Sequence, residues 1–487
     1  MEGNVGIQDI VARRGIYYQA FGIYHEVGGF FDYGPVGVRI RRNIESAWRN
    51  IFVEQLGAVE IETTTIMPEQ VFKASGHLST FADPITKCLK CGTHYRADKL
   101  LEEYYEKKGE SKKEEEIKKM DIGQLDGEIR KNGIKCEKCG GELSKVERFN
   151  LMFQTQIGPL TTDKGYLRPE TAQGMFVDFK YLFRISGAKL PMAVAQVGKV
   201  YRNEISPRQQ LVRLREFSQM ETELFFDPEE MPGEVGEISV DAILGAKLNF
   251  EEAGKEEVRE RSIGELLEAG KIPNKMLALL IYLEKRLVDT LGIPTELCRF
   301  RELEKEELPH YSKGNIDLEV KTSYGYIEIA GNAYRTDYDL SSHAKLSGTD
   351  LSVTSGSKKL VPHVAEASIG IDRTLFALLD SSLQTGDRDW AWLRLSSAAA
   401  PYQYAIFPLQ KDEKLEAKAR EIYKKLAARG LQAYYSSSGS IGKRYARADE
   451  IGVPSCMTID YQTLEDGTVT VRNRDTMKQE RVEEGKL

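Results

Sequence analysis

Apolar and polar residues alternate along residues 212–221, which is the period-two pattern of a β-strand. One face would carry Arg213, Arg215, Phe217, Gln219 and Glu221, and the other Val212, Leu214, Glu216, Ser218 and Met220. Arg202 and Glu204 share a face of a second predicted strand, and the ISPRQQ stretch between the two is typical of an exposed turn. The pattern therefore predicts an antiparallel hairpin.

The polar face of this hairpin carries guanidinium groups, carboxylates and one aromatic ring. Such a face suits a ligand that has phosphates, hydrogen-bonding edges and a flat base. The alternative is a solvated sheet face with cross-strand ion pairs.

Two apolar stripes at helical spacing predict long helices. A GP turn in GGFFDYGPVG opens the first helix at about Pro35, with a stripe of Ile40, Ile44, Trp48, Ile51 and Phe52. The second helix, with Met276, Leu279, Leu280, Leu283, Leu287 and Leu291 on one face, lies in a segment, 228–308, that we expect to be mostly helical. Strands are predicted at AVEIETTTI, NIDLEV and YGYIEIA, and HVAEASIGIDRTLFALLD predicts a turn that opens an apolar helix.

From about residue 399 onward, strand and helix patterns alternate along the chain. YQYAIFPL predicts a strand, a helix rich in Lys, Glu and Ala follows, and LQAYYSS, SCMTIDY and VTVRNRD predict further strands. The alternation of strand and helix predicts a separate small α/β domain over 399–487.

Composition sets broad limits on function. The chain has 487 residues, 41% of them hydrophobic, and a net charge of −7. This charge argues against a uniformly basic surface but leaves local RNA-binding patches open. There is no apolar run of about 18 residues, and the first residues resemble neither a signal nor a transit peptide. We therefore expect no membrane partner and a cytoplasmic location.

Four of the six cysteines form two C-x-x-C pairs, Cys88 with Cys91 and Cys136 with Cys139, each followed by glycine. Two such turns can supply four thiolates to one tetrahedral zinc ion. The long spacing between the pairs includes a charged run at 102–119 that we expect to be an exposed helical excursion. Reduced, metal-free thiols and disulfides remain alternatives, although a cytosolic location disfavours disulfides. Cys298 and Cys456 are expected to be buried single residues.

Two common phosphate-binding motifs are absent, because the chain contains neither GxxxxGK[ST] nor GxGxxG. Binding of a nucleotide would then depend on arginines, for which Arg202, Arg213, Arg215 and Arg373 are candidates. Arg373 alone could equally be a surface ion-pair residue at a helix start.

Several motifs together resemble a known family. A GP turn before a long helix, R-N-E followed by REF, and G-I-D-R at a helix start resemble, in order, the three motifs of class II aminoacyl-tRNA synthetases. LRPETAQGMF, FSQME, RFRELEKEELPHY, EIAGNAYRTDYDLSSHA and EASIGIDR are similar to the homodimeric glycyl-tRNA synthetases within that class. The likeness runs from about residue 6 to the C-terminus, and it is least secure in the two insertions.

The resemblance implies an α+β protein whose catalytic domain is an antiparallel sheet with insertions. The implied catalytic segments are 1–87, 149–227 and 309–398. They are interrupted by a cysteine-bearing insertion, 88–148, and a helical insertion, 228–308. The α/β domain at 399–487 would bind the anticodon of tRNA(Gly), with Lys443, Arg444, Arg472 and Arg474 near Tyr445 as basic candidates. Simple solvation of these residues is the alternative.

The resemblance also implies ATP as a substrate, together with Mg²⁺. Arg202 would bind the α-phosphate, Glu204 the adenine amino group and Glu328 the magnesium ion, while Phe217 and Arg373 would sandwich the adenine. Arg202, Glu328 and Arg373 are the implied catalytic residues. The other implied ATP-binding residues are Asn203, Glu204, Leu211, Val212, Arg213, Leu214, Arg215, Glu216, Phe217, Ile329, Gly370, Ile371 and Asp372.

The implied amino-acid site is rich in carboxylates. Glu170, Glu221 and Glu366 would hold the glycine ammonium group and crowd out larger side chains. The other implied residues of this site are Arg96, Phe217, Ser218, Gln219, Met220, Ala367, Ser368, Ile369 and Gly370. The alternative is that the glutamates are occupied by ion pairs with nearby arginines.

The implied activity is ATP-dependent attachment of glycine to tRNA(Gly) through a glycyl-adenylate. The implied assembly is a homodimer, with the helix opened by Pro35 at the interface and its apolar stripe serving both its own core and the partner. A synthetase for serine or threonine, and a catalytically inactive RNA-binding relative, are the alternatives. The three pocket glutamates argue against the former, and the retained arginines and carboxylates against the latter.

Overall fold

The computed structural model describes residues 6–24, 26–110, 113, 116–117, 119–159, 163–207 and 209–486. Within these residues the largest unit is a nine-stranded, mainly antiparallel sheet. A smaller sheet lies in the cysteine-bearing segment, and a third, five-stranded sheet forms the C-terminal domain. These sheets confirm the predicted combination of an antiparallel core and a C-terminal α/β domain.

The first segment supplies one edge of the large sheet. Its elements are α1 Ile7–Arg14, β1 Tyr17–Gln19, β2 Phe31–Tyr33, α2 Pro35–Trp48, β3 Val59–Glu60, β4 Ile66–Pro68, α3 Glu69–Ala74 and α4 His77–Thr80. Helix α2 starts at the predicted proline, and its stripe of Ile40, Ile44 and Trp48 is fully buried. A π-helical turn, Arg49–Gln55, continues it. The strand predicted at AVEIETTTI is not continuous: it pairs over β3 and again only at Ile66, where β4 begins, so its predicted length is wrong.

The cysteine-bearing segment folds around its own small core. It contains β5 Ala82–Lys87, β6 His94–Arg96, α5 Ala97–Lys107, α6 Ile122–Lys131 and β7 Glu147–Asn150. Leu100, Leu101, Leu125 and Ile129 pack between the two helices and the sheet. The predicted helical excursion corresponds at its start to α5, whereas positions 111–112, 114–115 and 118 lie outside the described residues.

The predicted hairpin is present, but its strands are set further from the loop than predicted. This segment contains β8 Phe153–Gln156, β9 Lys164–Leu167, α7 Ala172–Ile185, β10 Met192–Tyr201 and β11 Glu216–Phe226. Strands β10 and β11 pair from Tyr201 with Glu216 down to Met192 with Phe225. Gln209 and Gln210 have positive φ angles, which turn the chain into a 3₁₀ segment, Gln210–Val212. The described residues between Tyr201 and Glu216 therefore form a long connection, although 212–215 belong to the alternating pattern.

The segment 228–308 is not mostly helical, so that prediction is wrong. It contains β12 Glu234–Val235, β13 Ile238–Ser239, β14 Lys247–Glu251, β15 Val258–Ser262, α8 Ile263–Glu268, α9 Lys275–Leu291 and β16 Cys298–Glu302. Strands β14, β15 and β16 extend the large sheet, where pairing with distant strands overrides weak local preference. Helix α9 carries the predicted leucine stripe into the core.

The third part of the large unit completes the sheet. It contains β17 Asn315–Thr322, β18 Gly325–Thr336, α10 Tyr338–Ser347, β19 Val353–Ser355, β20 Lys358–Leu360, β21 His363–Gly370, α11 Ile371–Ser382, β22 Leu383–Gln384 and β23 Trp392–Leu393. The strand order is β15-β14-β16-β17-β18-β21-β11-β10-β3. The apolar residues of α2, α9 and α11 share one continuous core with this sheet. The middle strands carry charged residues on the opposite face, and this face holds the site described below.

The C-terminal domain is an α/β unit, as predicted. Its elements are β24 Tyr404–Pro408, α12 Glu413–Ala428, β25 Ala433–Tyr435, α13 Ile441–Glu450, β26 Ser455–Ile459, α14 Tyr461–Asp466, β27 Thr468–Asn473 and β28 Gln479–Glu483. Strands β25, β24 and β26 are parallel, and β27 and β28 add an antiparallel edge. Glu450 of α13 forms ion pairs with Arg13 and Arg14, which joins this domain to α1.

Candidate active site

A pocket of about 270 Å³ lies over the polar face of β11, β18 and β21. Of the residues expected to bind ligand, it is lined by Glu170, Arg202, Glu204, Leu211, Val212, Arg213, Leu214, Phe217, Gln219, Glu221, Glu328, Ile329, Glu366, Ser368, Gly370, Asp372 and Arg373. These residues come from two parts of the chain, 149–227 and 309–398, which the sheet brings together.

One end of the pocket is cationic. Arg202 follows β10, and its guanidinium carbon lies 5.3 Å from the Phe217 ring centre. Arg373, in the first turn of α11, donates to the carbonyl oxygens of Val212 and Glu328, each at 2.9 Å. It also pairs with the Glu328 carboxylate at 3.2 Å. Partial removal from water would raise the pKa of Glu328, whose side chain is 48% exposed, but Arg373 and Arg202 outweigh this effect and lower that pKa.

Two carboxylates converge beside this cationic end. A Cβ placed on Gly331 would lie 3.7 Å from Asp317 Oδ1 and 3.9 Å from Glu328 Oε1. Burial and the nearby Glu328 raise the pKa of Asp317 well above its usual range. Paired carboxylate oxygens are the donor set that hard divalent cations prefer, so these two residues fit a magnesium ion.

The flat region of the pocket surrounds Phe217. Glu204 pairs with Arg213 at 3.1 Å above it, and the apolar side chains of Leu211, Val212 and Ile329 line the same region. Asp372 accepts from the Ser218 backbone amide at 2.7 Å and from the Tyr33 hydroxyl. The start of α11 is thereby fixed to β11, beside the ring.

The other end of the pocket is acidic and deeply buried. Glu221 accepts from the backbone amide of Thr171 at 2.8 Å and from its hydroxyl, while its second oxygen has no hydrogen-bond partner in the described chain. Glu170 accepts from Gln173 at 2.8 Å and lies 3.4 Å from His77. Burial would raise the pKa of Glu170, but His77 and Arg335 outweigh it and hold that pKa below its usual range.

Arg335 on β18 organises this acidic end, although no local motif singled it out. Its guanidinium is fully buried and pairs with Asp339 at 2.7 Å and Glu366 at 2.9 Å. The Tyr311 ring covers it, with its centre 3.8 Å from the guanidinium carbon. The suggestion that ion pairs occupy the glutamates thus holds in part for Glu366 and for Glu170, which lies 3.7 Å from Arg335. Glu221 faces no arginine at salt-bridge distance among the described residues.

Nine of the expected ligand-binding residues do not line the pocket: Arg96, Asn203, Arg215, Glu216, Ser218, Met220, Ala367, Ile369 and Ile371. Arg215 donates to the carbonyl oxygens of Glu204 and Gly28, so its charge is directed at backbone. Arg96 pairs with Asp83 and Asp98 beside a neighbouring shallow pocket that shares Arg213. Met220 points into the apolar core on the opposite face of β11.

Sequence reasoning missed several lining residues: Leu303, Pro309, Tyr311, Asn315, Asp317 and Gly331. A signal for two of them existed, because Asn315 and Asp317 alternate with the apolar Ile316 and Leu318 in NIDLEV. Tyr311 and Pro309 come from a loop, where no periodic pattern marks a residue that faces a ligand.

The four paired cysteines meet at a second site. Cys88 and Cys91 lie on the turn between β5 and β6, and the other pair follows α6. Their four sulfur atoms all lie within 4.8 Å of one another, and Cys88 Sγ is 3.5 Å from Cys139 Sγ. A Cβ on Gly141 would come within 2.9 Å of Cys88 Sγ, so glycine is needed there. Four convergent thiols fit one zinc ion. Cys298 and Cys456 are buried elsewhere, as predicted.

The basic residues selected in the C-terminal domain are mostly structural. Arg472 pairs with Asp449 through two hydrogen bonds of 2.9 and 3.0 Å, and Arg444 donates to the carbonyl oxygen of Pro408. Arg474 donates to the carbonyl oxygen of Gly452 at 2.8 Å, and all three arginines are buried. Two predictions for these three arginines are therefore wrong: that they contact RNA, and that they are simply solvated. Lys443 alone is exposed.

Two family models match the chain. The model described as tRNA synthetase class II core domain (G, H, P, S and T) matches residues 159–382, and the model described as Anticodon binding domain matches residues 403–487. Glycine–tRNA ligase from Pyrococcus horikoshii is 40% identical, covering 98% of this chain and 96% of that relative. The same enzyme from Methanothrix thermoacetophila is also 40% identical, with 98% and 94% covered.

Among solved structures, Giardia lamblia prolyl-tRNA synthetase in complex with prolyl-adenylate has the same fold. Its TM-score is 0.61 at 14% sequence identity, and the match covers 98% of this chain and 73% of that one. Over the described part of the chain, no helix has both the length and the apolar character that a membrane span needs.

Proposed function

Because the chain belongs to the glycine–tRNA ligases, which are class II aminoacyl-tRNA synthetases, we propose that its sheet pocket forms glycyl-adenylate and then passes glycine to tRNA. The enzyme is a glycine–tRNA ligase. What the proposal adds is the reaction path and the residues that carry it.

The observation that carries the proposal is the polarity of the pocket. Arg202 and Arg373 lie at one end, and Glu170, Glu221 and Glu366 at the other. An amino acid bound with its ammonium group among the carboxylates would direct its own carboxylate towards the arginines. ATP bound with its phosphates at the arginines would then present the α-phosphate to that carboxylate.

In the first step a glycine carboxylate oxygen attacks the α-phosphorus of ATP. An O–P bond forms, the bond to the β-phosphate breaks, and pyrophosphate leaves with the electron pair. Negative charge grows on the α-phosphate oxygens, and Arg202 is the group proposed to stabilise it. Arg373 is proposed to bind the far phosphates and to cover the adenine, which stacks on Phe217.

Asp317 and Glu328 are the residues proposed to hold magnesium. A bound Mg²⁺ neutralises phosphate charge and orients the leaving pyrophosphate. The lowered pKa of Glu328 keeps this ligand ionised, whereas the raised pKa of Asp317 means that a bound cation would favour loss of its proton.

Glycine selection is proposed to rest on charge and on crowding. Glu170, Glu221 and Glu366 accept from the ammonium group. Ser368, fixed by Gln219 at 3.1 Å, closes the space where a side chain would project. A larger amino acid would have to displace buried carboxylates.

In the second step the tRNA 3′-terminal hydroxyl attacks the acyl carbon of glycyl-adenylate and AMP leaves. The C-terminal domain is proposed to hold the tRNA(Gly) anticodon.

Pyrophosphate exchange driven by each of the twenty amino acids in turn tests this assignment. We expect exchange with glycine and far less with alanine, serine or threonine. Exchange with serine or threonine in place of glycine would point to a sister synthetase, and no exchange with any amino acid would point to an inactive RNA-binding relative.

We also propose that the enzyme is a homodimer, that it holds a structural zinc ion and that it is located in the cytoplasm. The stripe on α2 cannot serve a partner, because Ile40, Ile44 and Trp48 are enclosed in the chain's own core. Support comes instead from α7, where Val177, Tyr181 and Ile185 recur every four residues and are 46%, 59% and 56% exposed. An apolar helix face of this kind is typical of a subunit contact.

A further inference from the structure

A third glutamate of β11 lies beneath the acidic end of the pocket. Glu223 is fully buried, and it is the direct cross-strand partner of Glu366 on β21. Carboxylate oxygens of Glu221, Glu223 and Glu366 lie within 4.8 Å of one another. Neither oxygen of Glu223 has a hydrogen-bond partner among the described residues. A buried carboxylate without a donor is costly when ionised.

The charges around Glu223 do not balance. Glu221 and Glu366 face it from the strands, Arg335 from β18 and Asp339 from α10. His343, also on α10, lies against Gln173 and near Asp339. Glu170 joins them at the pocket edge. Burial lowers the pKa of His343, which leaves it neutral at physiological pH. The buried basic groups that face these five carboxyl groups in the described structure are Arg335, Arg168 beside Glu221, and His77 beside Glu170. Arg335 donates two of its hydrogen bonds to Asp339. Full ionisation of every carboxyl would leave a large uncompensated charge.

We propose that Glu223 and Glu366 share one proton when the pocket holds no glycine, and that the glycine ammonium group displaces this proton to solvent. Two carboxyl groups held this close cannot easily both ionise, so they titrate as a pair. Burial and the neighbouring Glu366 raise the pKa of Glu223 well above its usual range, and burial likewise raises that of Glu366. This inference rests on the proposed binding of glycine at Glu221 and Glu366.

The exchange balances in atoms and in charge. The O–H bond of the shared carboxyl breaks, its proton passes to water, and the Glu366 carboxylate then accepts from an ammonium N–H. The glycine ammonium group adds one positive charge to the acidic end of the pocket, and the departing proton removes one. Glu223 is thus a positioning residue that shares its proton with Glu366 until a cationic ligand arrives. Because the proton competes with glycine, affinity for glycine should weaken as the pH falls.

Calorimetric titration of the full-length protein with glycine tests this, in two buffers of different ionisation enthalpy at one pH. We expect the wild type to release about 0.5–1 proton per glycine bound. Glu223→Gln supplies a neutral amide that cannot give up a proton, so Glu366 is ionised beforehand, and release should fall to about 0.2 or less. Glu284→Gln is the matched control, since Glu284 is a buried carboxyl outside the pocket, and it should release as many protons as the wild type.

Each outcome of these glycine titrations either supports or rejects the shared proton. Wild-type binding without proton release, or undiminished release from Glu223→Gln, would overturn the proposal while leaving the glycine pocket in place. Failure of glycine to bind the wild type would instead count against the pocket assignment. If Glu223→Gln does not fold, the pH dependence of the wild-type glycine Kd decides. A Kd that rises as the pH falls supports the shared proton, and a constant Kd between about pH 6 and 8.5 rejects it.

Discussion

Arg335 Nη1 donates to Glu366 at 2.9 Å, and both side chains are closed off from solvent. The same guanidinium pairs with Asp339 at 2.7 Å. One buried cation thus fixes the position of a carboxylate that also lines the pocket. Ion pairing and ligand binding are therefore not alternatives for Glu366, because the pair holds one oxygen and leaves the other able to face glycine.

Glu366→Ala should weaken glycine binding and relax specificity together. Loss of a charge-assisted hydrogen bond worth roughly 1.5–3 kcal/mol should raise the KM for glycine about tenfold to a hundredfold. The space left behind should favour alanine relative to glycine. The measurement is the ratio of kcat/KM for the two amino acids in pyrophosphate exchange.

Glu366→Gln separates charge from crowding in that experiment. The amide keeps the size of the side chain, so the KM for glycine should rise while alanine stays excluded. An unchanged KM and an unchanged ratio in Glu366→Ala would mean that this residue serves only Arg335.

Arg202→Ala and Arg373→Ala should each depress glycine-dependent pyrophosphate exchange by about 100-fold or more, because each removes a charge proposed to face the phosphates. Arg259→Ala is the control, since Arg259 is exposed on the edge strand β15 and pairs only with Glu257 in the described structure. Exchange within twofold of wild type in either pocket variant would reject its assignment.

Purified, untagged protein should contain about one zinc ion per chain by elemental analysis. The double substitution Cys88→Ser with Cys136→Ser removes one thiol from each turn and should abolish this content. Cys298→Ser, at a buried cysteine outside the cluster, should leave it unchanged. Wild-type protein free of zinc after growth with added metal would leave the four thiols without a metal role.

Light scattering should give twice the chain mass of 55.0 kDa. Tyr181→Glu places a charge in the exposed face of α7 and should shift the protein towards monomer at micromolar concentration. Tyr461→Glu, on an exposed tyrosine of the C-terminal domain, is the control. A wild-type monomer that still forms adenylate would contradict the dimer, and an unaffected dimer in Tyr181→Glu would move its interface elsewhere.

Glu284 on α9 makes stability depend on pH. It is buried against Asn332, and burial raises its pKa to about 8. The folded state keeps a proton that the unfolded chain loses above about pH 4.5, so this contribution to stability is full below pH 4.5 and is lost as the pH rises towards 8. The slope is up to about 1.4 kcal/mol per pH unit.

Glu284→Gln should therefore raise the Tm at pH 8 more than at pH 5, because the amide never ionises. Thermal melts at the two pH values measure this, with the exposed Glu268→Gln as control. An equal shift at both pH values would show that Glu284 is not the titrating group.

Local patterns in the sequence by themselves determined several helices, strands and turns of this protein. The stripe on α2, the leucine face of α9, the hairpin of β10 and β11 and the two cysteine turns all depend on residues a few positions apart, where spacing reflects the geometry of one element. The motif order identified the family, and most of the residues it implied do line the pocket.

Only the tertiary structure decided what those residues face. Arg215 looked equivalent to Arg213 along the chain, yet a turn at Gln209 and Gln210 directs it to backbone carbonyls. Arg472 was predicted to contact RNA, yet it is buried in an ion pair with Asp449. Strands β14 and β16 pair in parallel although almost fifty residues separate them, and this pairing joins the β14–β15 hairpin to the large sheet. The arrangement of Glu223, Glu366 and Arg335 depends on the register of three strands, and the energy that fixes such a register comes from contacts between segments far apart in sequence, which no local pattern records.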